Sequence, residues 1–333
     1  MPGAQTERGQ RGTLACVSLP LIVLVGPTAT GKSRLAVDLA LSLIASGRPA
    51  EIVNADSMLV YRGMDIGTAK PSVDDRGRVR HHLFDVADPR EGYSLALYQE
   101  QARAALDAIW ARDSFAWLVG GTAQYVWALL EAWQVPDVAP DEALRTELAA
   151  FAETHGWEAL HVRLTLVDPL AAGRLDGRNV RRVIRALEVF EKTGIPISTW
   201  QSKGEPDFEF LLFGVSVPRA ELYARIDQRT EAMFAGGLIE EVRALLDSGV
   251  PAGAPAMSSL GYGETVRYLA GETTRPEAIE RTKFGTHRLA RGQGQWFRAD
   301  DHRITWVTGA DDIDLQANIF TGACTNTIRG ERR

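Results

Sequence analysis

Cysteine and long apolar segments are scarce in this sequence. The 333 residues include two cysteines, Cys16 and Cys324, which lie near opposite ends of the chain without metal-ligand spacing around them. Neither a disulfide framework nor a zinc site is therefore indicated, and we expect a reduced, cytoplasmic setting. The apolar run that starts at Leu14 is interrupted by Pro20 and leads into a Gly-rich loop, which favours a buried strand over a secretory signal. No later segment approaches the ~20 apolar residues of a membrane helix, so we expect no membrane partner.

The chain also has fewer basic residues (37 Lys and Arg) than acidic ones (43 Asp and Glu). The net charge of −6 argues against nucleic-acid binding when it is averaged over the chain. Two runs depart from this average, because residues 178–185 contain four arginines and residues 281–298 contain five Lys or Arg, without an acid in either. Each run alone is typical of a solvated helix face. Together, in an acidic chain, they make a localised surface for a polyanion plausible.

Strand-like and helix-like segments alternate over the first third of the chain. Apolar strand patterns occur at residues 19–25, 51–56, 81–86 and 115–119. Between them, apolar residues recur at helical spacing, and Ser94 is a suitable N-cap for one of these helices. This alternation predicts an α/β fold, a doubly wound parallel sheet of the P-loop type.

The pattern changes after the proline-containing segment 133–142. Helices without strands extend to about Gly194, a strand returns at 208–217, and the chain from Pro218 is mostly helical with a late strand at 304–309. We therefore predict an all-helical insertion and C-terminal helices. The predicted ranges are 19–133 for the first part of the core, 134–200 for the insertion, 201–310 for the rest of the core with the C-terminal helices, and 311–333 for a mobile tail.

The stretch GPTATGKS, Gly26 to Ser33, matches the phosphate-binding loop pattern completely and lies between a predicted strand and a predicted helix. Glycines let the backbone N–H groups turn toward a phosphate, and the following helix adds its positive end. In this pattern Lys32 reaches the terminal phosphate oxygens and the Ser33 hydroxyl ligates Mg²⁺. The motif therefore predicts binding of a phosphorylated ligand together with Mg²⁺.

An enzyme that uses ATP should also have an apolar strand that ends in Asp. The best core strand, at 115–119, is followed by Gly-Gly-Thr instead, which weakens the motor and switch interpretations. Asp56 follows the second strand, at the sheet edge where ligands bind in such folds. It could hold Mg²⁺, accept a proton from a nucleophile, or only cap a turn; the local sequence leaves the functional and capping interpretations open.

Three further side chains have both a functional and a structural interpretation. Thr122 offers a hydroxyl beside two glycines at the sheet edge, or caps the next helix. Arg225 and Arg229 are spaced i, i+4 and project from one helix face. They could clamp a phosphate, or pair with Glu221 and Asp227.

Six ordered blocks between about Leu21 and Arg298 resemble the tRNA dimethylallyltransferase family, also called tRNA isopentenyltransferases or IPP transferases. The blocks are GPTATGKS, NADSMLVYRGMDIGTAKP, LVGGTAQY, RNVRRVIRALEVFEKTGIPIS, RIDQRTEAMFAGGLIEEVRAL and LGYGE. The second block is the most specific, since ordinary phosphate-loop kinases do not carry it. Two positions differ from the family pattern: Gly263 and Gly292 stand where basic residues are usual, which leaves the C-terminal tRNA contacts open.

The resemblance implies transfer of a dimethylallyl group from dimethylallyl diphosphate to N6 of adenosine 37 in tRNAs that read codons beginning with U. It also implies Mg²⁺ as cofactor, the anticodon stem-loop as partner, and, in our expectation, a monomer. The implied catalytic residues are Asp56 as general base, Thr122 and Arg229. The implied diphosphate ligands are Gly26, Pro27, Thr28, Ala29, Thr30, Gly31, Lys32, Ser33 and Arg225, with Ser33 on the metal. The implied tRNA contacts are Asp56, Ser57, Met58, Leu59, Thr122, Arg145, Arg181, Arg182 and Arg185.

Three other functions remain open at this point. An adenylate prenyltransferase would modify free AMP, ADP or ATP, but the Arg-rich insertion favours tRNA. A P-loop nucleotide or small-molecule kinase would leave that insertion unexplained. A nucleotide-switched RNA-binding module without chemistry would not need Asp56.

Overall fold

The computed structural model describes residues 19–200 and 202–308. Cys16, Cys324 and the predicted tail at 311–333 lie outside this range. The described residues form a parallel sheet of six strands in the order β3-β2-β4-β1-β5-β6. The strands are β1 Leu21–Val25, β2 Ala50–Asn54, β3 Arg80–His82, β4 Phe115–Gly120, β5 Phe210–Val215 and β6 Ile304–Val307. The predicted α/β class with a parallel sheet is confirmed.

Helices follow most of the strands along the chain. In the first part they are α1 Lys32–Ala45, α2 Val73–Arg78, α3 Leu95–Trp110 and α4 Ala123–Leu130. Between β4 and β5 they are α5 Glu142–Val167, α6 Pro169–Arg174, α7 Val180–Thr193 and α8 Ile197–Trp200. After β5 they are α9 Arg219–Ala235, α10 Leu238–Asp247, α11 Tyr262–Leu269 and α12 Arg275–Trp296, with a 3₁₀ turn at Ala256–Ser258.

Both faces of the sheet are buried, which explains the continuous apolar strands. Side chains alternate between the faces of a strand. Ile22 and Leu24 of β1 accordingly pack with α1 on one face, and Val23 packs with α3 and α4 on the other. All five residues of β1 are buried, as expected for a central strand of a parallel sheet.

One predicted strand differs from the observed one. The strand predicted at 81–86 ends at His82, because Leu83 and Asp85 adopt left-handed backbone angles (φ 63° and 57°), which no extended strand allows. Helix α5 is interrupted at Gly156, whose backbone (φ 85°) departs from helical geometry. The predicted N-cap is present, since Ser94 accepts the Leu97 N–H at 3.1 Å.

The segment between β4 and β5 contains helices α5 to α8 and none of the described strands. Leu160 and Leu164 of α5 pack on Val183 and Leu187 of α7, so these helices have a small core of their own. The chain then returns to the sheet, because β5 pairs in parallel with β1. The domain boundaries given above remain predictions. Among the described helices, none has the length and apolar character to cross a membrane.

The carboxyl ends of the central strands meet at one edge of the sheet. β1, β2 and β4 are followed there by the loops that begin at Gly26, Ala55 and Gly121. In open parallel sheets ligands bind in the crevice at this edge. The topology therefore brings the phosphate-loop motif, Asp56 and Thr122 to one place.

Candidate active site

The Gly26–Ser33 loop connects β1 to α1. A side chain at Gly26 would bring a Cβ within 2.7 Å of the Val215 carbonyl oxygen, and Gly31 has φ 89°, so both positions require glycine. The Pro27 carbonyl accepts hydrogen bonds from Thr30 Oγ1 (2.9 Å) and Lys32 Nζ (3.4 Å). The loop thus has the closed shape that lets backbone N–H groups converge on an anion.

Two cations lie here, Lys32 within the loop and Arg229 beside it on α9; we call them the cation pair. Lys32 is buried at 8% exposure, and burial lowers its pKa to about 8 although the Asp56 carboxylate opposes this shift. Burial also lowers the pKa of Arg229, again against the effect of Asp56. Within residues 19–200 and 202–308, neither cation forms an ion pair with a carboxylate. Desolvated charges without a partner are costly, so the pair marks a site for an anionic ligand.

Arg229 and Arg225 differ although they lie one turn apart on α9. Arg229 donates to Thr28 Oγ1 (3.4 Å) and to the Thr68 carbonyl oxygen (3.3 Å). Arg225 forms an ion pair with Glu221 at 2.5 Å and reaches only the Thr30 carbonyl oxygen, at 3.5 Å. The pairing alternative therefore describes Arg225 and not Arg229. Asp227, the other acid considered as a partner, contacts His287.

Asp56 sits in a turn held by hydrogen bonds. The buried Asn54 side chain accepts the Asp56 N–H (2.8 Å) and donates to the Asp56 carbonyl (2.9 Å). Asp56 Oδ1 accepts the Met58 N–H at 3.0 Å, which is the capping interaction considered from the sequence. A carboxylate has further lone pairs, so this bond orients Asp56 without excluding its use as a proton acceptor.

Thr122 does not cap the helix that follows it. Its side chain makes no capping hydrogen bond to α4; Oγ1 instead accepts the Ser57 N–H at 2.9 Å and donates to Ser57 Oγ at 3.2 Å. Thr122 therefore ties the Gly-Gly-Thr turn to the segment that carries Asp56.

A cavity of about 570 Å³ brings several of these groups together, although Lys32 and Arg225 are not among its lining residues. Its wall includes Thr28 and Ala29 of the loop, Asp56, Ser57, Met58, Thr122 and Arg229. Helix α12 contributes its pocket-facing side with Thr282, Thr286, Leu289, Gly292, Gln293 and Trp296, and the chain before and at α11 contributes Ser259, Leu260 and Tyr262. The volume is within the range that is typical of small-molecule binding sites.

The predicted tRNA contacts are only partly brought to this cavity. Arg182 of α7 lines it, and Arg181 is exposed nearby on the same helix. Leu59 is buried and is not one of the lining residues. Arg145 and Arg185 instead bind the buried carboxylate of Glu188, at 2.8 and 2.5 Å. The reason is geometric, because Glu188 follows Arg185 by three positions on α7 and faces α5.

Two polar groups were missed by the sequence analysis. Gln293 of α12 is 8% exposed and contacts both the phosphate loop and the Gly-Gly-Thr turn. The sequence does contain a signal for it, since Gln293 falls on the same side of the helix as the buried residues Ala278, Thr282 and Ala290.

The second missed group is Glu241 of α10. Its carboxylate accepts the N–H groups of Asp65, Ile66 and Gly67 at 2.8–3.3 Å and the Tyr262 hydroxyl at 2.5 Å. It thereby fixes the loop whose Thr68 carbonyl contacts Arg229. No sequence spacing indicates this contact.

The donor set suits a metal that is shared with a ligand. The described residues contain no cluster of three or more His, Cys, Asp or Glu able to hold a metal by themselves. Mg²⁺ usually takes one or two protein ligands and completes its shell with phosphate oxygens and water. Ser33, in the first turn of α1, fits that requirement.

Comparisons with known proteins agree on one family. A family model described as IPP transferase matches residues 59–300. The tRNA dimethylallyltransferase of Roseiflexus castenholzii is 49% identical over 295 residues, which is 89% of this chain and 95% of that protein. The tRNA dimethylallyltransferase of Chloroflexus aurantiacus is 50% identical over 287 residues, covering 86% and 95% of the two chains.

Solved structures show the same fold. The crystal structure of the tRNA isopentenylpyrophosphate transferase from Bacillus halodurans superposes with a TM-score of 0.67 at 36% identity and covers 94% of this chain and 99% of that one. A eukaryotic dimethylallyltransferase, in a structure that describes it acting on tRNA, gives a TM-score of 0.74 at 24% identity over 95% and 81% of the two chains. The second similarity concerns the fold alone.

Proposed function

The chain belongs to the IPP transferase family of tRNA prenyl-transferring enzymes, and from this premise we propose the details of its reaction. The donor is dimethylallyl diphosphate, and the acceptor is N6 of adenosine 37 in tRNAs that read codons beginning with U. The products are the prenylated tRNA and diphosphate. No phosphoryl group is transferred.

The observation that carries this proposal is that Arg229 lines the same cavity as Asp56, while Lys32 is buried in the adjoining phosphate loop. Lys32 and Arg229 are desolvated and, among the described residues, have no carboxylate in ion-pair contact. A leaving diphosphate supplies the missing negative charge, and that charge increases as the allylic C–O bond breaks. Groups arranged in advance around developing charge stabilise the transition state more than the ground state.

Asp56 supplies the proton acceptor. The N6 lone pair of adenine is delocalised into the ring, so the amine is a weak nucleophile. As N6 forms a bond to C1 of the dimethylallyl group, the C1–O bond breaks, the diphosphate leaves with the electron pair of that bond, and the N6 proton moves to the Asp56 carboxylate. Mg²⁺ bound through the Ser33 hydroxyl and phosphate oxygens would neutralise part of the diphosphate charge.

The acceptor side of the cavity suits a base that has left its stack. Ser57, Met58 and Thr122 line the cavity beside Asp56, and Arg182 of α7 lines it as well. Swinging out a loop nucleotide costs a few kcal/mol, and contacts from cationic side chains to the RNA backbone can offset this cost. We propose that Arg181 and Arg182 make such contacts with the anticodon stem-loop. We also propose that a monomer is active, since Asp56, Thr122 and Arg229 reach one cavity from the described residues of a single chain.

Unmodified tRNA transcripts test the donor, the acceptor and the codon rule together. The protein is incubated with dimethylallyl diphosphate and Mg²⁺, and the nucleosides are analysed by mass spectrometry. A transcript with A36 and A37 should give N6-dimethylallyladenosine with one diphosphate released per product. Replacing A37 by G should abolish the product, and replacing A36 by C should reduce it strongly. Absence of product on the first transcript would refute the proposed reaction.

A competition experiment separates tRNA from free nucleotide as the acceptor. AMP in large excess over the transcript should leave the rate of tRNA prenylation unchanged and should itself gain no prenyl group. Preferential prenylation of AMP would identify the chain as an adenylate prenyltransferase.

A further inference from the structure

Gln293 joins two segments of the site that are far apart in sequence. Its Oε1 accepts the N–H of Thr28 in the phosphate loop at 2.8 Å. Its Nε2 donates to the carbonyl of Gly121, in the Gly-Gly-Thr turn, at 3.0 Å. We call these two hydrogen bonds the Gln293 bridge. They connect the side of the cavity that receives the diphosphate to the side that receives the base.

The direction of the amide follows from its partners. Thr28 offers an N–H and Gly121 offers a carbonyl oxygen, so the reversed amide would place donor against donor and acceptor against acceptor. The Gly121 side is also tight, because a Cβ at this position would approach Nε2 to 2.4 Å. Only a side chain with one acceptor and one donor at this reach can make both bonds.

The bridge continues to the proton acceptor through further hydrogen bonds. Gly121 is followed by Thr122, whose Oγ1 accepts the Ser57 N–H at 2.9 Å and whose own N–H donates to the Ala55 carbonyl at 3.1 Å. Asp56 lies between Ala55 and Ser57. A shift of the Gly-Gly-Thr turn relative to the phosphate loop would therefore move Asp56 relative to the diphosphate.

We propose that Gln293 is a positioning residue that fixes the donor loop and the acceptor turn at the separation that prenyl transfer requires. The inference rests on the proposed function, in which C1 of the donor must approach N6 closely. Displacing reacting groups by about 1 Å can cost on the order of 100-fold in rate. Gln293 acts on the rate through this geometry and contacts neither reacting atom.

The first test is Gln293→Asn, which keeps the amide and shortens its reach by one methylene. We expect kcat for tRNA prenylation to fall about 10- to 100-fold, with both KM values within about threefold of wild type. Gln228→Asn is the matched control, because Gln228 is exposed on α9 and does not line the cavity. It should retain wild-type kcat. A change confined to KM for tRNA would instead make Gln293 a tRNA contact and overturn the proposal.

Hydrogen exchange measured by mass spectrometry tests the bridge without catalysis. In Gln293→Asn, amides of residues 26–33 and of residues 119–125 should both exchange faster. In wild type, inorganic diphosphate with Mg²⁺ should slow exchange in both segments, whereas in the variant it should slow only 26–33. Faster exchange in one segment alone, or in neither, would overturn the proposal.

Gln293→Glu provides a second variant should Gln293→Asn melt at a lower temperature than wild type. It keeps an acceptor for the Thr28 N–H and loses the donor to Gly121, so residues 119–125 should exchange faster while 26–33 change little. If Gln293→Glu changed the exchange rate of both segments to the same extent, the assigned hydrogen bonds would be wrong. If the wild-type protein does not prenylate tRNA, the proposed function fails by that result, and the exchange data still decide whether the bridge couples the two segments.

Discussion

Two regions of the molecule contain the same set of charges, one carboxylate and two cations, in opposite arrangements. In the helical segment between β4 and β5, Glu188 is fully buried and binds Arg145 and Arg185 at 2.8 and 2.5 Å. At the cavity, Asp56 influences Lys32 and Arg229 only from a distance, and neither cation is in ion-pair contact with it. The first set is complete in itself, and the second set requires a ligand.

The two sets contain the same number of charges, so only their arrangement shows which set has a structural role and which has a functional role. Burial opposes the charged form of Glu188, but hydrogen bonds from Arg145, the Asp141 N–H and Arg185 lower its pKa below the usual value. Burial at the cavity lowers the pKa of both cations, because the protein provides no equivalent compensation there. We therefore expect changes to the first set to reduce stability and changes to the second to reduce catalysis.

The largest effect is expected for Asp56→Asn. The amide can still accept the Met58 N–H, so the turn should persist, but it cannot take the N6 proton. We expect kcat to fall about 10²- to 10⁴-fold with the melting temperature unchanged. Since the lost negative charge lies near the cation pair, dimethylallyl diphosphate should bind as tightly as in wild type or more tightly. Weaker donor binding would make Asp56 a metal ligand instead, and a kcat within tenfold of wild type would exclude it as the base.

Arg229→Met should have the next largest effect. It removes a donor aimed at the leaving diphosphate, for which losses of roughly 10²- to 10³-fold in rate are typical. Thermal stability should not fall, because the charge removed is desolvated and has no carboxylate partner among the described residues. Arg225→Met is the matched comparison one turn away, and its loss should be at least tenfold smaller because Arg225 is paired with Glu221. Equal losses would remove the distinction between the two arginines.

Glu188→Gln should act on stability instead. Loss of the buried charge weakens the bonds to both arginines, and we expect about 1–3 kcal/mol lower free energy of unfolding at pH 7. Because the folded-state pKa of Glu188 is lowered, its contribution is present above the unfolded pKa and is lost as pH falls through the folded value. The difference between variant and wild type should therefore shrink on acidification in urea titrations.

Two further measurements complete the Glu188 test. Glu142→Gln, at the exposed partner of Arg145, should change stability little. Prenyl transfer by Glu188→Gln, measured well below its melting temperature, should stay near wild type. A loss of kcat without a loss of stability would place Glu188 in the functional set.

The sequence was sufficient for features that depend on local pattern. Continuous apolar strands predicted a sheet buried on both faces, and a strand followed by a turn predicted where Asp56 and Thr122 would lie. The short β3 was not predictable in this way, because the left-handed angles at Leu83 and Asp85 occur without glycine. A tertiary contact accompanies them, since Asn54 Nδ2 donates to the Leu83 carbonyl at 3.1 Å.

For the same reason, the sequence could not predict which charged side chains pair or which hydrogen bonds connect distant segments. The sequence shows arginines in both charge sets, and only the packing of α5 on α7 shows that Arg145 and Arg185 share Glu188. The hydrogen bond from Thr28 to Gln293 spans 265 positions in the chain and depends on where α12 crosses the sheet edge. Helical spacing could have flagged Gln293 as a buried polar residue, but not its partners.

The smallest effect, and the most direct test of an unpaired charge, is the pH dependence of donor binding. Lys32 has a pKa of about 8 in the free protein, so it is mostly charged at pH 7 and mostly neutral at pH 9. If the charged form binds the diphosphate, the Kd for dimethylallyl diphosphate should rise about tenfold between these values. Calorimetry without tRNA measures this binding before any transfer.

Lys32→Arg serves as the control for this dependence, since guanidinium stays charged over the whole window. Its binding should be flat between pH 7 and 9, whatever its absolute strength. The same low pKa means that the charged Lys32 destabilises the free folded protein below pH 8, and that this penalty disappears as pH rises toward the unfolded value of 10.5. Donor binding and folding should therefore respond to alkaline pH with opposite signs, which a charge paired within the protein would not produce.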